Sequence, residues 1–292
     1  MLVKALRYLL LVNLFAQWVH ASFDVVIVSH YKDYEILPSC IASIKHYIPG
    51  HRRIFVIGNR AITGSDFIYI AEAEFYKYIT PLDIKNMWHM YNPRLEKRAF
   101  WIFQQLLKLG AHLLIDDLSD NYLCIDSDII WTRKQQFMNE KGQFFYAKHK
   151  ACACCPNSLI HSEYVMVTQR LLRNKAKKIP QFSFIAHHMM FNKKIVKTML
   201  AYIEKVHKQP WYSAITFQLN LSQGSNFSEY ELYGTWLWNN YYKLLAYRHM
   251  QWVRACDIAG ISDLTEYDFI SAQYYESHSH DMGYPIEDKK EE

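Results

Sequence analysis

Six cysteines in 292 residues are too few to form a disulfide framework. Cys152-Ala-Cys154-Cys155-Pro156 has the look of a metal knuckle, but no second C-x-C or C-x-x-C completes a zinc site. Free thiols or a disulfide involving the cluster stay open. No G-x-G-x-x-G follows the first apolar run, which argues against a dinucleotide-binding fold. The leading apolar stretch falls short of the roughly 20 residues a spanning helix needs. Charge is modest as well, at 21% of residues and a formal net of +5. The basic residues are scattered except in Arg170 to Lys178, which reads as a solvated face and not as a nucleic-acid footprint. No nucleic-acid partner is expected, and only a weak contact with anionic lipid at a membrane surface is left open.

Apolar side chains, by contrast, make up 51% of the chain, with 22 Tyr and 8 Trp among them. That describes a globular protein with a substantial core. The aromatic surplus fits stacking on sugar or base rings, and equally an aromatic core.

Residues 1–21 read as a targeting segment: Lys4 and Arg7, then the apolar Tyr8 to Ala16, then Val19-His20-Ala21 as a cleavage site. The alternative is an amphipathic helix lying on a membrane. The expected organisation is this segment, one domain over 22–285, and a charged tail over 286–292. A lumenal or secreted location follows from a cleaved leader, and the cytoplasmic face of a membrane from an uncleaved anchor. Asn220-Leu-Ser222 and Asn226-Phe-Ser228 are glycosylation sequons in the first case.

Phe23 to Ser29 is a continuous apolar run, typical of a strand buried on both faces. A helix over Tyr34 to Tyr47 and a strand over Arg53 to Gly58 complete a βαβ unit, so a parallel sheet is expected. Ligands bind such sheets at the carboxyl ends of strands, where Ser29, Tyr31 and Asp33 fall. Phe67 to Tyr78 fits a strand pair or a helix. Arg94 to Leu109 predicts a helix ended by Gly110, with Trp101, Gln104, Gln105 and Lys108 on one stripe. That stripe is either an exposed polar face or a set of groups reaching a phosphate or sugar.

The chain centres on Tyr122 to Trp131, YLCIDSDIIW. If the strand continues through it, Asp126 and Asp128 lie on one face, about 7 Å apart. Two carboxylates at the end of a buried strand are costly unless a cation compensates them. A divalent metal does so and leaves room for a phosphate-bearing ligand. The bland alternative is a polar turn capped by one of the aspartates.

Further on, Gln143 to Ala147, Glu163 to Thr168 and Phe269 to Tyr275 read as strands, and Lys193 to Lys208 and Trp211 to Leu221 as helices. His187 and His188 are adjacent in an apolar run, so they point to opposite faces and at least one meets something polar. Ser228 and Glu231 form a capping box, which leaves Glu229 free to do chemistry.

The Trp101-x-x-Gln104-Gln105-x-x-Lys108 helix, the IDSD stretch, His187-His188 and Ser228-Glu229-Tyr230-Glu231-Leu232-Tyr233-Gly234 resemble an uncharacterised family of GT-A glycosyltransferases, over roughly Phe23 to His280. The resemblance implies an α/β, Rossmann-type nucleotide-diphospho-sugar transferase fold with a mixed, mostly parallel central sheet flanked by helices. It implies transfer of a sugar from a nucleotide-sugar donor, UDP-linked in the first instance, to an unidentified acceptor hydroxyl. Asp126, Asp128 and His278 would hold Mn²⁺ or Mg²⁺, with His280 the competing ligand. Ser29, Tyr31, Asp33 and Ser127 would lie at the nucleotide. Trp101, Gln104, Gln105, Lys108, His187 and His188 would contact donor or acceptor, and Glu229 would be the base. Two other readings stand beside it. One is an inactive, transferase-like sugar-binding module. The other is a metal-dependent phosphohydrolase, disfavoured because Ile130 stands where D-x-D-x-[TV] needs Thr or Val.

Overall fold

A computed structural model describes residues 22–147, 159–176, 183–222, 226–254 and 262–272. The leader, the Cys152 to Cys155 cluster, His278, His280 and the charged tail lie outside the described residues.

The first strand, β1 (Phe23–Ser29), is buried along its whole length, as its unbroken apolar run requires. α1 (Leu37–Tyr47) carries the chain back to β2 (His51–Gly58), which lies parallel to β1. β3 (Ile68–Ala71) adds a parallel strand outside β2 and runs into a short 3₁₀ turn at Glu72–Phe75. α2 (Pro81–Tyr91) opens on a complete capping box between Thr80 and Asp83. α3 (Arg98–Leu114) then crosses back over β1, and β4 (Asn121–Asp126) pairs parallel with β1 on the side away from β2.

Three short strands follow or close the structure as a second sheet. They are β5 (Ile129–Trp131), β9 (Trp252–Arg254) and β10 (Phe269–Ser271), with β10 in the middle. β6 (Phe144–Ala147) pairs with β8 (Leu245–Arg248). Between them come α4 (Leu159–Leu172), β7 (His188–Asn192), α5 (Lys193–His207), α6 (Trp211–Phe217) and α7 (Glu229–Asn240). β7 runs antiparallel to β4, so the main sheet reads β3-β2-β1-β4-β7. The architecture is therefore α/β, with a mixed, mostly parallel central sheet flanked by helices, as expected.

Four local expectations change. The helix does not stop at Gly110. It continues to Leu114, and Gly110 is needed because a Cβ there would lie 2.4 Å from the Phe75 ring. Glu163 to Thr168 belongs to α4 and not to a strand. Its buried residues Tyr164, Val167, Thr168 and Leu171 keep helical spacing, which overrides the short alternation within EYVMVT. The helix from Trp211 ends at Phe217 instead of Leu221. The chain from Asp126 to Ile129 turns instead of extending, so β4 and β5 enter different sheets.

The sequons also acquire a structural setting. Asn226 is fully buried, its amide donating to the Asn220 carbonyl at 2.7 Å, and Ser228 caps α7. Asn220 accepts from both the backbone and the hydroxyl of Ser222. A glycan on Asn226 would not fit this fold.

At the amino end of β1 a charged clamp fixes the sheet. Asp24, wholly buried, accepts from Arg52 Nε at 2.9 Å and Nη2 at 2.7 Å, from Arg53 Nη2 at 3.0 Å, and from the Ser119 backbone at 2.9 Å. Burial alone would raise its pKa, but the two arginines hold it at about 2, below the ordinary 3.8. A depressed carboxyl stabilises the fold above its unfolded pKa and loses that contribution as pH falls through the folded one. About 2 kcal/mol should therefore disappear between about pH 4 and about pH 2. Asp24→Asn should remove a similar or larger amount at neutral pH. Urea unfolding at about pH 5 and about pH 2 measures both. An unchanged acid slope in the variant would assign the effect elsewhere.

Candidate active site

The chain builds outward from β1 to β2 and β3, then returns through α3 to place β4 on the other side of β1. Such a reversal opens a crevice at the carboxyl ends of the two strands. Asp126 ends β4 there, in register with Val28 near the end of β1. The apolar run Tyr122 to Ile125 is buried, and the polar turn Ser127-Asp128 sets the second carboxylate beside the first. One ligand atom each from Asp126, Asp128 and His187 falls within 4.8 Å of the others. The two aspartates come together through a turn, not through strand alternation.

The resemblance puts His187 only near donor or acceptor. It takes up the position beside the two aspartates, whereas His278 lies outside the described residues. Its φ of 59° is left-handed, a conformation a non-glycine residue adopts at some cost. That backbone turn lets its carbonyl accept from the Asp126 N–H at 2.9 Å while its Nδ1 lies 3.2 Å from Asp126 Oδ2. The ring packs edge-on against Trp252, at 5.0 Å between centroids. His188, the first residue of β7, is buried among Trp131, Phe137 and Phe269. The sequence predicts opposite faces for the two histidines, but His187 precedes the strand and its ring also meets Phe269, at 6.1 Å; its polar partner is Asp126.

α3 delivers the stripe to the rear of the crevice. Lys108 is 4% exposed and donates to Asp126 Oδ1 at 2.5 Å, Glu229 Oε1 at 2.7 Å and the Tyr230 hydroxyl at 3.1 Å. An ammonium has three N–H donors, so all are engaged and none is left for a phosphate or sugar. Tyr230 in turn donates to Asp126 Oδ1 at 3.1 Å. Gln105 accepts from the Glu229 N–H at 3.1 Å, satisfying an open donor of the first turn of α7, and Gln104 donates to the Val28 carbonyl at 3.0 Å. Trp101 sits lower on the stripe, between the Arg98 guanidinium and Tyr164. Gln105 and Lys108 are buried, Trp101 and Gln104 half-buried, and the stripe ties α3 to β1 and α7.

Glu229 is 3% exposed, and Glu231 likewise. Ser228 caps α7 by accepting from the Glu231 N–H, but the Glu231 carboxylate reaches Ser183 Oγ and the Phe184 N–H. The residues at the end of β1 divide. Ser29 is buried. Asp33 accepts from Ser127 Oγ at 3.0 Å, which ties the first loop to the D-S-D turn. Tyr31 is exposed, its ring under the Arg60 guanidinium at 3.7 Å.

The electrostatics follow from these contacts. Burial would raise the Asp126 pKa, but Lys108 and His187 hold the carboxyl well below the usual range. Asp128 has no ion-pair partner among the described residues; burial, then repulsion from Asp126 and Asp33, push it up to about 6. Burial lifts Glu229 despite Lys108, and would lower Lys108 were it not for the two carboxylates that raise it. His187 is likewise raised, Asp126 outweighing its burial. Asp126 has Lys108 and His187 as direct partners, whereas Asp128 has the field of His187 to set against burial and its acidic neighbours.

Residues 87–265 match a family of unknown function (DUF6492). The chain belongs to that family. The matched span holds Lys108, Asp126, Asp128, His187 and Glu229 but not Ser29, Tyr31 or Asp33, which lie before it. No curated protein matches the chain. Among solved structures, it is similar to galactosyltransferase LgtC in complex with donor and acceptor sugar analogues. The TM-score is 0.42 and the identity 12%, over 84% of this chain and 82% of that one. A second structure, of an active-site mutant of LgtC, gives a TM-score of 0.40 and 13% identity, over 82% and 78%.

Sequence reasoning missed Tyr230, whose hydroxyl closes the Lys108–Asp126 contact, and did not foresee that Lys108 bonds Asp126 and Glu229. Neither carries a sequence signal: a tyrosine in a helix and a lysine on a stripe both fit an ordinary surface.

Proposed function

We propose that this chain is a metal-dependent glycosyltransferase that moves a sugar from a nucleoside-diphosphate donor to an acceptor hydroxyl. The observation that carries the reading is the Asp126–Asp128–His187 group at the sheet's reversal point, with one carboxylate left uncompensated. Two carboxylates and an imidazole suit Mn²⁺ or Mg²⁺, and a three-ligand group leaves open positions for diphosphate oxygens. When bound, such an ion supplies Lewis-acid stabilisation of the charge that grows on the leaving diphosphate.

The remaining roles belong to the chain itself. Asp128, the carboxylate without a cation, is the strongest ligand on electrostatic grounds. Lys108 and Tyr230 hold Asp126 ionised and oriented from behind. Glu229, buried and bonded to Lys108, positions that lysine in this reading instead of taking the acceptor's proton. Tyr31, exposed at the mouth of β1 beside the Arg60 guanidinium and the His30 ring, is the aromatic group placed to meet a nucleoside base.

Thermal unfolding of the full chain with UDP, GDP, CMP or ADP, each with and without Mn²⁺, tests this. One nucleotide should stabilise the protein only when Mn²⁺ is present, by roughly 2.7 kcal/mol at a hundredfold excess over Kd. UDP heads the panel. No metal-dependent shift with any nucleotide would remove the transferase reading and favour a sugar-binding module.

A further inference from the structure

The corner between α2 and α3 carries a surface that the crevice does not use. Four of the eleven large hydrophobic side chains exposed among the described residues fall between positions 82 and 100. Met90 is 76% exposed, Tyr91 74%, Leu82 60% and Phe100 51%. They are not there because the segment is loose. Ile84, Trp88 and Ala99 anchor its inner side in the core, so Leu82 and Met90, two turns apart on α2, are held outward together.

Cations outnumber carboxylates here: positions 82–100 hold Lys85, Arg94, Lys97 and Arg98 against Asp83 and Glu96. Asp83 is tied up in the capping box with Thr80, and Glu96 is paired with Lys85 at 3.3 Å and lies 3.0 Å from His89. Arg94 and Lys97 are exposed and have no acidic partner among the described residues. The surface therefore presents projecting Leu, Met, Tyr and Phe side chains beside unpaired cations; of its two carboxylates Glu96 is paired with Lys85, and Asp83, held in the capping box, keeps its charge. Projecting apolar tips on a segment that also exposes Arg and Lys suit the headgroup region of a bilayer, where aromatic rings sit and basic side chains meet anionic lipid.

We propose that the α2–α3 corner docks the protein on an anionic membrane surface. Charge complementarity selects that occupant: free Arg94 and Lys97 favour a negative surface, and side chains that stand out individually enter a fluid interface without needing a matching groove. The inference does not depend on the transferase reading.

Co-sedimentation of the full chain with vesicles tests it, using phosphatidylcholine alone and phosphatidylcholine mixed with phosphatidylglycerol. Binding should require the anionic lipid and weaken as salt rises. Two full-chain variants separate the corner from the apolar leader, which both retain. Arg94→Glu with Lys97→Glu should lower partitioning by about tenfold or more. Met90→Ser with Tyr91→Ser and Phe100→Ser should lower it comparably. All five positions are at the surface, so circular dichroism melting should stay as in the wild type, and the manganese-dependent nucleotide shift should be unaffected. Vesicle binding that neither variant weakens, or no binding to anionic vesicles at all, overturns the proposal. The second result would hand the surface to a protein partner.

Discussion

Lys108→Met should lower the unfolding free energy by about 3–5 kcal/mol, the loss expected when one partner of a buried ion pair is removed. The methionine fills the space of the aliphatic stem, so the penalty is electrostatic. Asp126 and Glu229 are left facing each other across a buried pocket without their shared cation. Glu229, already raised by burial, should take up a proton, while Asp126 keeps His187. Adding Glu229→Gln to Lys108→Met should therefore recover part of the loss, with a coupling of about 1–3 kcal/mol. Chemical denaturation of both single variants and the double closes the cycle. Simple additivity, or a single-variant loss under about 1 kcal/mol, would show that Lys108 is not the charge that holds this wall together.

Asp128→Asn should act in opposite directions with and without ligand. In the metal-free protein Asp128 is ionised at neutral pH although burial and its acidic neighbours push its pKa to about 6. The native state then binds a proton more tightly than the unfolded chain, whose carboxyl titrates near 3.8. Stability should fall as pH rises from about 4 to about 6, the reverse of the Asp24 window, by about 2–3 kcal/mol. Asparagine removes that charge, so the metal-free variant should gain about 2–3 kcal/mol at neutral pH and almost nothing at about pH 4. With Mn²⁺ and the nucleotide that stabilises the wild type, the variant should show no gain at all. Calorimetry at the two pH values, with and without ligand, reads all of this. A variant destabilised in the metal-free state would contradict the crowded-carboxylate geometry. One that keeps the manganese-dependent shift would take Asp128 out of the ligand set.

Much of this site was legible because burial and charge conflict visibly in sequence. An apolar strand running into D-x-D announces carboxylates in need of compensation, and the position after a βαβ unit puts them at a sheet's carboxyl edge. Paired histidines in an apolar run also signalled that one of them meets a polar group, which His187 does at Asp126. What could not be read is who compensates whom. The strand alternation invoked for Asp126 and Asp128 fails because Ser127 bonds Asp33, 94 residues earlier, and turns the chain. His187 joins the group through a left-handed backbone torsion that no residue pattern encodes. Lys108, Gln104 and Gln105 look like an exposed polar stripe until β1 and α7 are packed over them. Helix ends were lost for similar reasons. Gly110 signals a stop in isolation, yet here it is a close approach to Phe75.

The lysine at the back of the crevice has a consequence for the life of the protein. Sites assembled solely from carboxylates tend to stay unformed until an ion arrives, so that chelation and folding are one event. Here Lys108 already balances Asp126 and Glu229, and Tyr230, Gln105 and the His187 carbonyl satisfy the groups around them. The back wall of the crevice is charge-balanced by the chain's own groups. If the proposed metal-dependent function holds, chelators should silence the protein without unravelling it. Ion supply would then limit activity and leave folding untouched.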